Sequence, residues 1–141
     1  MAAHALAFLD ALGLKRVDLL GFSLGGMVAQ EVALTRPSLV RKMLLVGTAP
    51  EGGEEIMRLE KPKIRQIFAS NLPASQRLVR LFFAPSASSQ AAGEAFIARL
   101  AQRNQDREPV SGPDVAKAQI AAFRVWEANT GERFAKLRKI G

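Results

Sequence analysis

The hexapeptide Gly21-Phe22-Ser23-Leu24-Gly25-Gly26 holds the residues best suited to covalent chemistry. It fits Gly-x-Ser-x-Gly with a further glycine behind it. A strand that turns directly into a helix forces its apical residue into strained backbone angles. Bulk at minus two, plus two or plus three would clash there, and Gly21, Gly25 and Gly26 remove it. Ser23 at the apex then projects its hydroxyl clear of the sheet. It also stands at a helix start, where unpaired N–H groups and the positive dipole end favour a developing negative charge. The chemistry this suits is stabilisation of an oxyanion beside a serine hydroxyl, with the backbone N–H of Leu24 well placed to be one donor, typically worth ~10²–10³ in rate. Three fixed residues of average abundance occur by chance in such a chain roughly once in twenty times, and the third glycine lowers this to well under one in a hundred. The bland alternative is a tight glycine turn with an incidental serine.

The elements needed to position Ser23 flank it. Residues 15–22 form a short apolar run bounded by glycine, which reads as a buried strand. Residues 23–35 read as a helix ended by Pro37, and residues 39–46 as a second strand closed by Gly47. An earlier helix over residues 1–12 places Ala5, Phe8, Leu9 and Leu12 on one face and stops at Gly13. The order helix, strand, helix, strand predicts two parallel neighbouring strands joined by a crossover helix. After Gly47 the strand pattern is lost. Residues 48–53 form a loop, and helices are expected near 62–70, 74–82, 88–102, 113–129 and 132–139. The expected architecture is α/β: a parallel-sheet fragment over residues 1–50, then a helical cap region over 51–141.

Composition narrows the chemistry. The 141 residues are 48% hydrophobic and 23% charged, which excludes disordered, collagen-like and coiled-coil chains. Cysteine is absent and there is one histidine, His4, so thiolate and multi-histidine metal sites are excluded. Twenty basic against thirteen acidic residues give a net charge of +7, spread along the chain. The one tight basic cluster is Arg133, Lys136, Arg138 and Lys139, and tyrosine is absent, so no nucleic-acid partner is expected. No apolar run reaches the ~18 residues needed to span a bilayer, so no membrane partner is expected. The first twelve residues carry Asp10 and lack a basic start, which argues against a secretory signal and for a cytoplasmic location.

The stretch Val17-Asp18-Leu19-Leu20-Gly21-Phe22-Ser23-Leu24-Gly25-Gly26-Met27-Val28-Ala29-Gln30 resembles the nucleophile strand, elbow and following helix of the α/β-hydrolase fold superfamily. Within it, the chain looks most like the single-domain esterases, lactonases and haloperoxidase-like perhydrolases with a helical cap. Lys42-Met43-Leu44-Leu45-Val46-Gly47-Thr48 is similar to the family's next strand, and Glu54 onward to its cap. The resemblance implies hydrolysis of a small-molecule ester, lactone or related acyl substrate through a Ser23 acyl-enzyme, with no cofactor. Serine at this position sets the chain apart from haloalkane dehalogenases and epoxide hydrolases, which use aspartate, and from cysteine dienelactone hydrolases.

The family order is serine, acid, histidine, and no histidine follows Ser23. His4 precedes it on the first helix and suits a surface or packing role. Glu51, Glu54 and Glu55 follow the second strand, where some members place the acid, and Glu51 is the best placed of them. Phe22 and Trp126 are candidate pocket residues, with Phe123 and Phe134 near the latter; core packing is the competing reading for these aromatics. The chain opens on an uncapped helix and stops at Lys139-Ile140-Gly141, about where the family's next strand is due. The expectation is an internal fragment or an aberrant truncated member, inactive by itself and prone to associate. The rival expectation is a non-catalytic protein that keeps the scaffold to bind a ligand or partner.

Overall fold

Gly13 ends the first helix as a glycine in the left-handed region should. The helix, α1 (Ala2–Ala11), gives way to Gly13 at φ 68°, and the Leu14 N–H donates back to the Leu9 carbonyl at 3.1 Å. The computed structural model describes residues 1–53, 62–109, 111–128, 131–132 and 134–140. They include β1 (Val17–Phe22), α2 (Leu24–Thr35), β2 (Val40–Val46), α3 (Pro62–Ala69), α4 (Ala74–Phe82), α5 (Ala87–Gln102) and α6 (Pro113–Glu127).

The chain folds as two compact units, one of Met1–Ile56 with Lys117–Gly141, the other of Met57–Ala116. Composition alone groups residues 117–141 with the helical region. The structure returns them to the first unit, through side-chain bonds described below.

In the first unit β1 and β2 pair in parallel, with Leu19 opposite Met43, Leu20 opposite Leu44 and Phe22 opposite Val46. The alternation of strand side chains sorts them onto two faces. Val17, Leu19 and Val40 pack against a core of Leu6, Val32 and Leu39. Val32 and Leu39 are each only 2% exposed, so this is where burial contributes most. The other face carries Leu20, Phe22, Leu44 and Val46, all exposed. At its edge Asp18 accepts from the Arg41 Nε at 2.8 Å, and this partner holds the Asp18 carboxyl below the usual range. The buried stripe of α1 differs from the expected one. Ala2, Ala5, Leu6 and Leu9 face the core, while Phe8 and Leu12 are exposed, because α1 is rotated to lay Leu6 on Val32 and Leu39. Residues 37–39 close a 3₁₀ turn, so β2 starts one residue later than expected.

The helical unit follows its sequence punctuation closely. Ser86 caps α5, its Oγ accepting from the Ser89 N–H at 3.4 Å. No strand follows Val46 among the described residues. The helix expected over 132–139 is not formed: Phe134 takes φ 61°, leaving a short 3₁₀ turn at Leu137–Lys139.

Candidate active site

β1 runs straight into α2 with one residue between them. That residue is Ser23, at φ 51° and ψ −122°, a region L-residues rarely enter. Two backbone bonds fix it. Its N–H donates to the Val46 carbonyl at 2.9 Å, and its carbonyl accepts from the Gly26 N–H at 2.9 Å. The Ser23 hydroxyl makes no capping bond to the helix, so it is not consumed as a structural acceptor. The residue is half-buried rather than fully exposed. Leu24 opens α2, where a first-turn N–H has no intrahelical acceptor.

The three glycines differ in necessity. A Cβ on Gly21 would lie 2.6 Å from the Gly26 Cα and 2.7 Å from the Gly25 carbonyl oxygen, both backbone atoms that cannot yield. A Cβ on Gly26 would lie 2.5 Å from Thr48 Cγ2. Gly25 meets nothing within 4 Å, so the expected clash at plus two is absent among the described residues. The Thr48 hydroxyl, against Gly26, is buried with no hydrogen-bond partner among the described residues.

The candidate pocket aromatics separate. Phe22 is 61% exposed on the open sheet face, its ring beside Gly47. Trp126 is buried, and its indole N–H donates to the Ala49 carbonyl at 3.3 Å. With Leu24 and Met27 it borders a hollow of about 170 Å³, smaller than the roughly 300–1,000 Å³ of ordinary ligand sites. Phe123 and Phe134 are half-buried.

A support lattice that sequence reading did not single out lies behind the serine turn. Gln30, 3% exposed, donates through Nε2 to the Gly26 carbonyl and to the Ala49 carbonyl, each at 3.1 Å. The one available signal was an amide in the middle of an otherwise apolar helix face. Ala49 thus accepts from both Gln30 and Trp126, and the Gly52 N–H donates to the Trp126 carbonyl at 2.9 Å. Lys136 completes the lattice with 2.7 Å bonds to Glu31 and to Glu51, its ammonium 5.6 Å from the centre of the Trp126 ring. Partial burial pulls the Lys136 ammonium down, but the two carboxylates outweigh it and hold it above the ordinary lysine value.

Glu51, the best-placed acid, is therefore engaged by Lys136, while Glu54 and Glu55 lie outside the described residues. His4 is exposed on α1. Of the basic cluster, Lys136 and Arg138 are held in ion pairs, the latter with Glu132, and Arg133 lies outside the described residues. Among the described residues no His/Cys/Asp/Glu group could hold a metal ion, and no helix is long and apolar enough to cross a membrane.

The family model for the alpha/beta hydrolase fold matches residues 1–107. The chain belongs to the alpha/beta hydrolase fold family. A solved structure, an alpha/beta hydrolase fold protein from Chitinophaga pinensis, is similar with a TM-score of 0.79 and 34% identity, over 93% of this chain and 46% of that one. Among curated alpha/beta hydrolase relatives, one from Pseudomonas sp. (strain CF600), named 2-hydroxymuconate semialdehyde hydrolase, is 44% identical over 46 residues, 33% of this chain and 16% of that protein. A protein of Stutzerimonas stutzeri (strain A1501), carrying the name of carbamate hydrolase RutD, is 28% identical over 86 residues, 61% of this chain and 32% of that protein. The chain thus spans less than half the length of each of these relatives.

Proposed function

We propose that this chain carries the nucleophile element of a serine hydrolase acting on an ester, lactone or related acyl bond, with Ser23 as nucleophile. The observation that supports it is the strained Ser23 backbone between β1 and α2, with a hydroxyl free of capping duty. Such strain is kept where it presents a reactive group. The names of the relatives, which speak of hydrolysis, agree with that chemistry.

In this reading Ser23 Oγ attacks the carbonyl carbon of a small-molecule substrate. The Leu24 N–H, at the positive end of α2, donates to the oxyanion. The serine proton passes to a general base and then to the leaving group, and water releases the acyl-enzyme. Glu51 is tied to Lys136, and His4 sits exposed on α1, ahead of Ser23 in the chain. By the family order of serine, acid and histidine the base is a histidine after the serine, and no histidine follows Ser23 in these 141 residues, so the chain alone turns over slowly, since loss of the base costs ~10⁶. Of the region over residues 51–141 expected as the cap, the helical unit Met57–Ala116 is proposed for that role.

Treatment of the chain with a fluorophosphonate in the presence of imidazole, which stands in for the missing base, followed by peptide mapping, tests this reading. Ser23 should be modified ahead of every other serine, and Ser23→Ala should abolish that product. Uniform slow labelling of all serines would favour the rival, a scaffold kept for binding. Robust p-nitrophenyl acetate turnover that vanishes in Ser23→Ala would place the base within this sequence.

A further inference from the structure

The helical unit has a hollow of about 420 Å³, within the size range of small-ligand sites, roughly 300–1,000 Å³. One wall is a face of α3. Lys63, Gln66 and Ile67 recur at helical spacing, and Ser70 continues the row just past the helix end. Arg80 and Phe83 reach it from the end of α4.

The α4–α5 corner that sets Phe83 is stiff. Gly93 lets α5 come so close that an added Cβ would lie 3.0 Å from the Phe83 ring. Gln90 Nε2 donates to the Ala84 carbonyl at 2.8 Å, and the Ala84 N–H donates to Ser89 Oγ at 2.9 Å. The hollow's shape at this corner is therefore built before any ligand arrives.

Among the described residues two cations border the hollow and no carboxylate does. Neither Lys63 nor Arg80 makes an ion pair among the described residues. Glu94 borders a neighbouring α4–α5 groove that Arg80 also lines, without pairing to it. Ile67, Leu72 and Phe83 supply an apolar patch beside the charges. Uncommitted guanidinium and ammonium groups next to apolar surface are the complement of a molecule with an anionic head and an apolar body.

We propose that this hollow is a binding site for a small organic anion, a monocarboxylate with an aromatic or branched apolar body. Arg80 offers the planar fork that matches a carboxylate, Lys63 a second positive charge, and Gln66 an amide donor. Ile67, Leu72 and Phe83 take the apolar body. The inference concerns the helical unit alone and stands apart from the role given to Ser23.

The test is a ¹⁵N NMR titration of the full chain with benzoate, and with benzamide as its neutral isostere. Benzoate should give saturable shifts confined to residues 63–72 and 80–90, and benzamide should bind at least about tenfold more weakly, since a charge-assisted pair is lost. Arg80→Gln should weaken benzoate by about the same factor. Arg65→Gln, which removes one charge from α3 outside the hollow, should leave benzoate binding unchanged. Equal binding of benzamide, equal loss in Arg65→Gln and Arg80→Gln, or no saturable shift would each overturn the proposal.

Discussion

Ser23 carries a cost that the rest of the first unit must absorb. Its φ of 51° sits in a region that strains any L-residue by about 1–3 kcal/mol. Glycine tolerates that conformation but loses about 1 kcal/mol of chain entropy on folding. Ser23→Gly should therefore stabilise the chain by about 1 kcal/mol net, seen as a rise in Tm, while Ser23→Ala keeps the strain and gains nothing. A Tm for the glycine variant equal to or below that of the alanine variant would contradict the strain. The glycines divide on the same logic. Gly21→Ala drives a methyl into the Gly26 backbone and should cost about 3 kcal/mol or more in denaturant unfolding. Gly25→Ala meets open space in a helix and should be neutral, or stabilising by up to about 1 kcal/mol. The motif alone makes the three look equivalent. Only the packing of Thr48 and of the Gly26 backbone tells them apart, and that is tertiary information.

At the scale of elements, local signals sufficed where punctuation was dense. Pro73 and the hydrophobic spacing after it mark α4 at Ala74–Phe82, and the glycine-bounded run marks β1. They failed where long-range contacts decide. The last segment has helical spacing, yet Lys136 is drawn to Glu31 and Glu51, 105 and 85 residues away in sequence, and Phe134 adopts φ 61°. No local pattern encodes that choice. α1 was legible as a helix but not in its rotation, since Phe8 and Leu6 are equally apolar in one dimension. Gln30 ties α2 to the loop after β2. Gln30→Leu conserves volume but removes a donor from Ala49, and should cost about 1 kcal/mol in chemical unfolding. The Lys136 lattice predicts a pH dependence with a defined sign. Its ammonium is held above the ordinary lysine value, so its contribution is complete below that value and fades as pH rises through the elevated one. Trp126 is the sole tryptophan and no tyrosine obscures it, so its emission reports the loss directly. The emission should shift at alkaline pH in the parent chain, and should be already shifted and pH-independent at neutral pH in Lys136→Met.

For the whole molecule, the exposed face of Leu20, Phe22, Leu44 and Val46 dominates behaviour in solution. Contiguous apolar surface of this kind favours association, and among the described residues the two-stranded sheet leaves both its edges unpaired. The chain should self-associate with rising concentration in analytical ultracentrifugation, and Leu20→Lys with Leu44→Glu should reduce it without loss of helical signal. The division into two units has a different consequence. Residues on both sides of the helical unit belong to the first unit, which makes the helical unit an insertion in the covalent connectivity. Bonds such as Trp126 to Ala49 close a loop across 77 residues, and loop-closure cost grows only logarithmically, about 0.6 kcal/mol per doubling. Excising residues 57–112, which leaves α6 whole, in favour of a short glycine-serine linker therefore shortens a connection rather than cutting the first unit's core. The minimal two-strand unit should keep Trp126 in its buried emission state, and refold faster than the parent because its longest contacts have become local.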